Sequence, residues 1–369
     1  MARSHDMTSG SIWRSLLGFS IPIMISNLVQ STYNAVDMLF VGRFTGTESL
    51  AAVSVCGPIL NVMIITLSGM SAGVLVVISG LLGAGDIKQA QDAAHTSVAL
   101  YALMAAVMTV LGLLFVPQIL RLVQTPAAAM PEAKRYLYTV FAGTVFTFGY
   151  NLIGALQRGL GNAAASMSFV IISSAANIAL DAVFIVWLGM GAFGAALGTV
   201  LSQVAAFVIG TVQFARGGAA LRLSARAVRF HKKHLKNILL FGVPTALNEV
   251  MVNLAMLTVS GVANSFGLAS SAAYGVGSRI NSLAIFTDGA MNQTMSAYAS
   301  QNIGAGRQKR ALEGLWKAII LSAGAALGTS LLVLAFASEF SACFDSDPAV
   351  IEQSAAFLRV TVWSYPLFA

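Results

Sequence analysis

The chain has 369 residues, 57% of them apolar and only 9% charged, with a formal net charge of +7. Ordinary soluble domains carry roughly 25% charged residues, so this composition excludes a soluble globular fold and indicates a membrane protein. The excess of positive charge does not imply nucleic acid, because the basic residues sit mostly in loops that flank apolar runs, where anionic headgroups and topology account for them.

The opening MARSHDMTSGSIWRS is short and polar, with no cleavable signal pattern, so the first apolar run reads as a retained helix. Apolar runs then recur along the chain, each long enough to cross a ~30 Å hydrocarbon core at ~1.5 Å per residue. They predict helices at 15–41, 50–80, 92–116, 134–157, 163–187, 191–214, 236–260, 267–299, 311–335 and 352 to the end, separated by breakers such as RFTGTE, GAGD, GLGN and DSDP. A β-barrel is disfavoured because the runs are long and continuous, not alternating over ~10 residues. Cys56 and Cys343 offer neither a disulfide framework nor metal-binding spacing.

The first helix contains Pro22 and a polar stripe of Asn27, Gln30, Asn34 and Asp37. At ~100° per residue the four side chains fall within about 80° of one another and form one face. A lipid-exposed polar face is improbable, so this one faces the protein interior or a wet cavity. Pairing between helices is an open alternative for Asn27 and Gln30, whereas a charge at Asp37 favours function. The fifth helix places Asn177 and Asp181 four residues apart on one face. With the N-terminus inside, Asp37, Asp181, Thr199 and Asn177 lie about four, six, eight and ten residues below the outer boundary, one layer some 10 Å thick. Two carboxylates, a carboxamide oxygen and a hydroxyl would make a hard oxygen site, suited to Na⁺ or a shared proton, if helices 1, 5 and 6 touch, which periodicity alone does not establish.

Orientation follows from lysine and arginine. An inside N-terminus puts fourteen of them in inner segments, including Arg3, Arg14, Lys88, Arg158 and seven between Arg216 and Lys236, against four in outer loops. The basic stretch RAVRFHKKHLK, with His231 and His234, admits a lipid or metal site, but a solvated linker that fixes topology is the reading taken. His95 is expected at an interface, and GLLGAG is no phosphate loop, since no Lys-Ser/Thr follows it.

SGLLGAGDIKQA (79–90) and SQNIGAGRQKRA (300–311) repeat with an offset of 221, and FSIP ending at Pro22 lies over FGVP ending at Pro244. Six helices fall within one period, so both copies keep the same orientation, as in two lobes related by an axis along the membrane normal. The expected architecture is an all-α polytopic membrane protein with a six-helix lobe at 1–214, a cytoplasmic basic linker at 215–235 and a second lobe at 236–369. By the same arithmetic the second copy should run to about residue 435, so about ten helices are expected here and the second lobe is expected to be incomplete. The acids do not repeat, since Asp37 corresponds to Val259, and the coupling chemistry is expected in the first lobe. A possible second-lobe site comprises Glu249, Asp288 and Arg279, with a buried Glu249–Arg279 ion pair as its structural alternative.

Pro22 with YNAVDMLFVG, the QNIGAGR segment, the repeat and NIALD together resemble the multidrug and toxic compound extrusion (MATE) transporters over essentially the whole chain. The resemblance implies a cation site built from Asp37, Asn177, Asp181 and Thr199, with a bend of the first helix at Pro22. In the seventh helix, the register of a glutamate used by some branches falls on Val252, one turn beyond Glu249. It implies an antiporter of the inner (plasma) membrane, N-terminus cytoplasmic, that exports amphipathic, often cationic organic compounds in exchange for H⁺ or Na⁺. No cofactor beyond that coupling ion and no nucleic acid are expected; the partners are a small organic substrate and membrane lipids, and the chain is expected to act as a monomer. The alternative is an exporter or flippase of a lipid-linked or polysaccharide precursor. An enzyme would need a catalytic constellation such as clustered His/Asp or a Ser/Lys pair, which is not evident, and a channel suits a two-lobe repeat less well than alternating access.

Overall fold

The computed structural model describes residues 6–216, 221–284, 286–345 and 347–368. Arg3, part of the expected linker (217–220), residue 285 within the eighth expected helix and the last residue of the tenth lie outside the described residues. The chain folds into α1 (Ile12–Phe44), α2 (Thr47–Gly83), α3 (Ile87–Leu122), α4 (Met130–Gly159), α5 (Ala163–Asp181), α6 (Gly191–Arg216), α7 (Lys232–Ser265), α8 (Leu268–Ala284), α9 (Phe286–Gly304), α10 (Gln308–Ala342) and α11 (Pro348–Thr361). Eight helices among the described residues are long and apolar enough to cross a bilayer. Leu114, Leu240 and Leu331 are exposed on their outer faces, as side chains that meet lipid should be.

Helices overrun the apolar runs that predict them: α2 occupies 47–83 where 50–80 was expected. Hydropathy marks only the part that lies in hydrocarbon, whereas backbone hydrogen bonding continues until a cap stops it. Asp86 caps α3 by accepting from Gln89 N at 3.0 Å, and Asn162 caps α5 by accepting from Ala165 N at 3.0 Å. The eighth expected helix corresponds to α8 and α9, on either side of residue 285. The ninth, expected to stop at 335, instead kinks at Phe336 (φ −122°, ψ 25°) and runs on to Ala342. The fifth is α-helical only to Asp181 and then widens into a π-helical turn over Ala182–Trp187; such turns frequently mark functional positions.

In the first lobe α4 packs on α2, α3 and α6, and α5 packs between α1 and α6; in the second, α11 packs on α8 and α10. The lobes meet where α2 contacts α7 and α9, and where α1 contacts α9. Water cannot drive helix pairing inside lipid, so close backbone approach has to hold these contacts, and small residues permit it. Gly69 and Gly73 of α2 face Gly242 and Ala246 of α7, and a Cβ on Gly69 would lie 2.5 Å from that of Ala246. Both helices thus present small residues four apart to each other.

The sequence repeat forms the second contact. Gly83 lies against the carbonyl oxygen of Gln301, and its repeat mate Gly304 lies against the carbonyl oxygen of Gly80, so neither tolerates a Cβ as placed. Equivalent residues meet equivalent residues, which is what a pseudo-two-fold axis between the lobes requires. Both copies end their helices with a glycine at positive φ, Gly85 at 73° and Gly306 at 72°, a conformation costly for any side chain.

These contacts close one end of the bundle, the end that also carries the N-terminal segment and the basic linker. There Met7 N donates to Gln301 Oε1 (2.8 Å) and Asn302 Nδ2 donates to the Met7 carbonyl (3.2 Å). Arg310 Nη2 donates to the Ser9 carbonyl (2.8 Å), tying this segment of the first lobe to the second. The Thr8 hydroxyl donates to Asp6 and holds its carboxyl below the usual carboxylate range. The linker lies on the start of α3: Arg222 N donates to Gln91 Oε1 (2.7 Å), and Lys233 Nζ to Gln89 Oε1 (2.8 Å). His95 is buried beneath the linker, where Ser224 N donates to its Nε2 at 3.4 Å.

Candidate functional site

A cavity of about 870 Å³ lies between the lobes. Asn27, Gln30, Asn34 and Asp37 all line it, so the polar stripe of α1 turns inward as its periodicity requires. Pro22 sits within α1 without interrupting it, and Ser26 Oγ donates to its carbonyl at 2.8 Å. Proline has no N–H for the preceding turn, so α1 is weakest where it passes the deep end of the cavity.

The packing of α5 between α1 and α6 sets the remaining expected ligands on or just behind the same cavity wall. Asn177 and Thr199 line the cavity wall, while Asp181 is fully buried behind it. Asp37 and Asp181 lie close enough for their carboxyls to interact. Side by side they repel, and a cation or proton held between them relieves that repulsion. Asp37 Oδ1, both carboxylate oxygens of Asp181, and both polar atoms of Asn177 are sealed from solvent without a hydrogen-bond partner among the described residues. Ser174 Oγ is in the same condition, one turn before Asn177 on the same face of α5.

An unsatisfied buried polar group costs about 1–3 kcal/mol, and a charged one more. Several together consume a sizeable part of the ~5–15 kcal/mol by which a protein is typically stable. Their cost to the fold marks them as a candidate binding site. The donors are all oxygens apart from the Asn177 amide nitrogen, and among the described residues no group of three His, Cys, Asp or Glu forms a metal cluster. Two carboxylates with neutral oxygens suit a monovalent cation or a proton, since hard cations select oxygen ligands.

Gly198 is the element of this site that sequence reasoning missed. A Cβ there would collide with Asp181 Oδ1, so α6 reaches the carboxylate only because residue 198 has no side chain. Gly198→Ala is expected to displace Asp181 and to weaken binding of a monovalent cation or proton at the carboxylates by about tenfold, the ~1.4 kcal/mol of one disturbed contact. Helix content should be unchanged, because alanine is the better helix former. Cation-binding titration and circular dichroism on the same preparation check this, and unimpaired binding would show that the close approach is incidental.

In the second lobe, Glu249 and Asp288 line the cavity, together with Asn248, Asn292 and Gln293. Arg279 does not join them. α8 buries Ala273, Val276 and Ile280 in the second lobe's core and leaves Arg279 exposed, so the structural alternative, a buried Glu249–Arg279 ion pair, does not form. Arg158, counted from sequence among the membrane-flanking cations, also lines the cavity, because the last turn of α4 points inward at the closed end. Tyr136 of α4 lines it at the other end, beside the two aspartates. Ser174 was legible in principle from its spacing to Asn177; Gly198 and Arg158 required knowledge of which helices touch.

The MatE family model matches residues 22–183 and 244–369. The probable multidrug resistance protein YoeA of Bacillus subtilis is 30% identical over 371 residues, covering 97% of this chain and 79% of that protein. YpnP of the same organism, also a probable multidrug resistance protein, is 27% identical over 364 residues, covering 99% of this chain and 81% of its own length. Among solved structures, one described as the outward-facing conformation of a multidrug resistance MATE family transporter of the MOP superfamily matches with a TM-score of 0.93 at 25% identity. The match covers 100% of this chain and 82% of that one.

Proposed function

The chain belongs to the MatE family of membrane transporters, and from that membership we propose that it exports amphipathic, often cationic organic compounds in exchange for H⁺ or Na⁺. It is a multi-pass membrane transporter of a multidrug efflux family and not an enzyme. The observation that carries the antiport reading is the Asp37–Asp181 pair, with its partnerless oxygens, Asp37 half-buried in the wall of a cavity between two lobes and Asp181 buried behind it. Asp37, Glu249 and Asp288 against Arg158 make the lining acidic on balance, which favours cationic cargo over a polyanionic precursor.

In the proposed cycle this conformation faces outward, because the glycine contacts and the N-terminal segment seal the end that carries the basic linker. A cation from outside enters beside Asp37 and joins Asp181, Asn177 and Thr199. It drives the change only if it binds the two conformations with different affinity; tight binding alone shifts nothing. Bending of α1 near Pro22 is the proposed link between site and cavity, since a turn lacking one hydrogen bond deforms most easily. Dye accumulation in cells, with external Na⁺ and pH varied independently, tests this reading. Dye should fall in expressing cells only when one of the two gradients is present, and accumulation indifferent to both would refute it.

The sealed end is proposed to be cytoplasmic, with the chain in the inner (plasma) membrane. Cys343, exposed beyond α10 at the opposite end, reports on this, because Cys56 is buried. Impermeant maleimide should label Cys343 in intact cells; labelling only in inverted vesicles would reverse the orientation.

A further inference from the structure

We propose that Arg158 forms an oxyanion subsite at the closed end of the cavity, which takes the carboxylate of an amphipathic zwitterionic compound. The proposal rests on the cavity being the transport site and names a residue that discriminates among its substrates. Arg158 is the basic residue among those lining the cavity. Its Nη1 donates to Ser166 Oγ at 3.0 Å, while its Nε is sealed from solvent and makes no hydrogen bond among the described residues. Among the same residues no carboxylate reaches it within ion-pair distance. A guanidinium offers five donors in a planar fork, and most of this one is uncommitted.

Interaction with the last turn of α4 gives the charge some support, but that does not explain a lumen-facing fork. The surroundings are built to hold it there. A Cβ on Gly154, one turn earlier, would lie 3.2 Å from Nη1 and 3.5 Å from Ser166 Oγ, so the glycine leaves the guanidinium its place. Tyr150 and Asn151 line the cavity beside it. A half-buried guanidinium whose Nε is sealed and unpaired, with no carboxylate beside it, is left incompletely satisfied, and a ligand carboxylate offers the bidentate partner that its geometry matches.

Two dyes with one ring system test this: a rhodamine with a free carboxylate, which is zwitterionic, and its methyl ester, which is a plain cation. Binding is measured by fluorescence anisotropy with the protein in a sugar-headgroup detergent without phospholipid, so that no lipid phosphate competes. In Arg158→Gln the affinity for the acid should fall by about tenfold or more relative to the ester, the worth of a hydrogen bond to a charged group. Arg158→Lys should fall between wild type and Arg158→Gln, because it keeps the charge and loses the fork. Equal weakening of both dyes, or an unchanged acid-to-ester ratio, would overturn the subsite and leave the transport reading standing. Should Arg158→Gln fail to fold, the ratio in Arg158→Lys decides. If wild-type protein binds neither dye, the transport reading falls and the subsite with it.

Discussion

Asp37→Asn and Asp181→Asn should each abolish gradient-driven efflux, a loss of about a hundredfold or more, because a cation without a preferred state no longer biases the conformational equilibrium. Asparagine keeps the shape of the side chain and removes its charge, so membrane insertion and helix content should stay at wild-type levels. The two residues act as a unit: they are close enough to interact, and both carboxylate oxygens of Asp181 lack another partner among the described residues. The double variant should therefore be no worse than either single one, as expected for groups that share a ligand. Asn177→Ala and Thr199→Ala each remove one proposed neutral ligand and should cost about tenfold, nearer to a single hydrogen bond. Efflux from proteoliposomes at several Na⁺ concentrations and pH values checks the series. Normal efflux by Asp37→Asn under every condition would make that residue structural.

The second large effect is expected at the contact between the repeats. Gly83→Val and Gly304→Val each place a branched side chain where even a Cβ meets a carbonyl oxygen of the other lobe, that of Gln301 or of Gly80. Backbone on both sides cannot yield as a flexible side chain would, and overpacking of this kind costs about 1–3 kcal/mol. That is enough to move a balanced two-state equilibrium by about tenfold to a hundredfold. The lobes should part at this end, so both variants should lose efflux while each lobe keeps its own core. An Ala163→Cys reporter, buried in the cavity wall near that end, should react slowly with an impermeant maleimide applied from the linker side. It should react quickly when Gly304→Val is added, and equal rates would show that the glycine contact does not close the cavity.

Much of this architecture was legible before any coordinates. Long apolar runs specify helices because lipid offers no partner for an unpaired backbone group, and the offset of 221 between the GAG segments specifies two like-oriented lobes. The inward turn of Asn27, Gln30, Asn34 and Asp37 followed from periodicity alone. Juxtaposition was not legible. Periodicity fixes which face a residue occupies on its own helix, never which helix lies opposite. Asp181 therefore looked like a possible ligand, while Gly198, which lets α6 approach it, carried no signal of its own. Arg158 was misplaced for the same reason: a basic residue at a helix end reads as a solvated interface cation unless the helix is known to point its last turn into a cavity. The alternative of a Glu249–Arg279 pair is excluded because α8 buries its apolar positions in the second lobe's core and leaves Arg279 outside.

The central claim is that one site couples cation entry to export of the organic compound. Linkage makes that coupling reciprocal in binding, so an outward substrate gradient should drive the cation inward with no ion gradient imposed. The measurement is cation uptake, by pH-sensitive dye for H⁺ and by ²²Na⁺ for sodium, into proteoliposomes preloaded with a cationic dye substrate. The account predicts uptake of one of the two cations on release of the substrate gradient, abolished by Asp37→Asn and by Asp181→Asn. Substrate leaving wild-type vesicles with neither cation entering would contradict it.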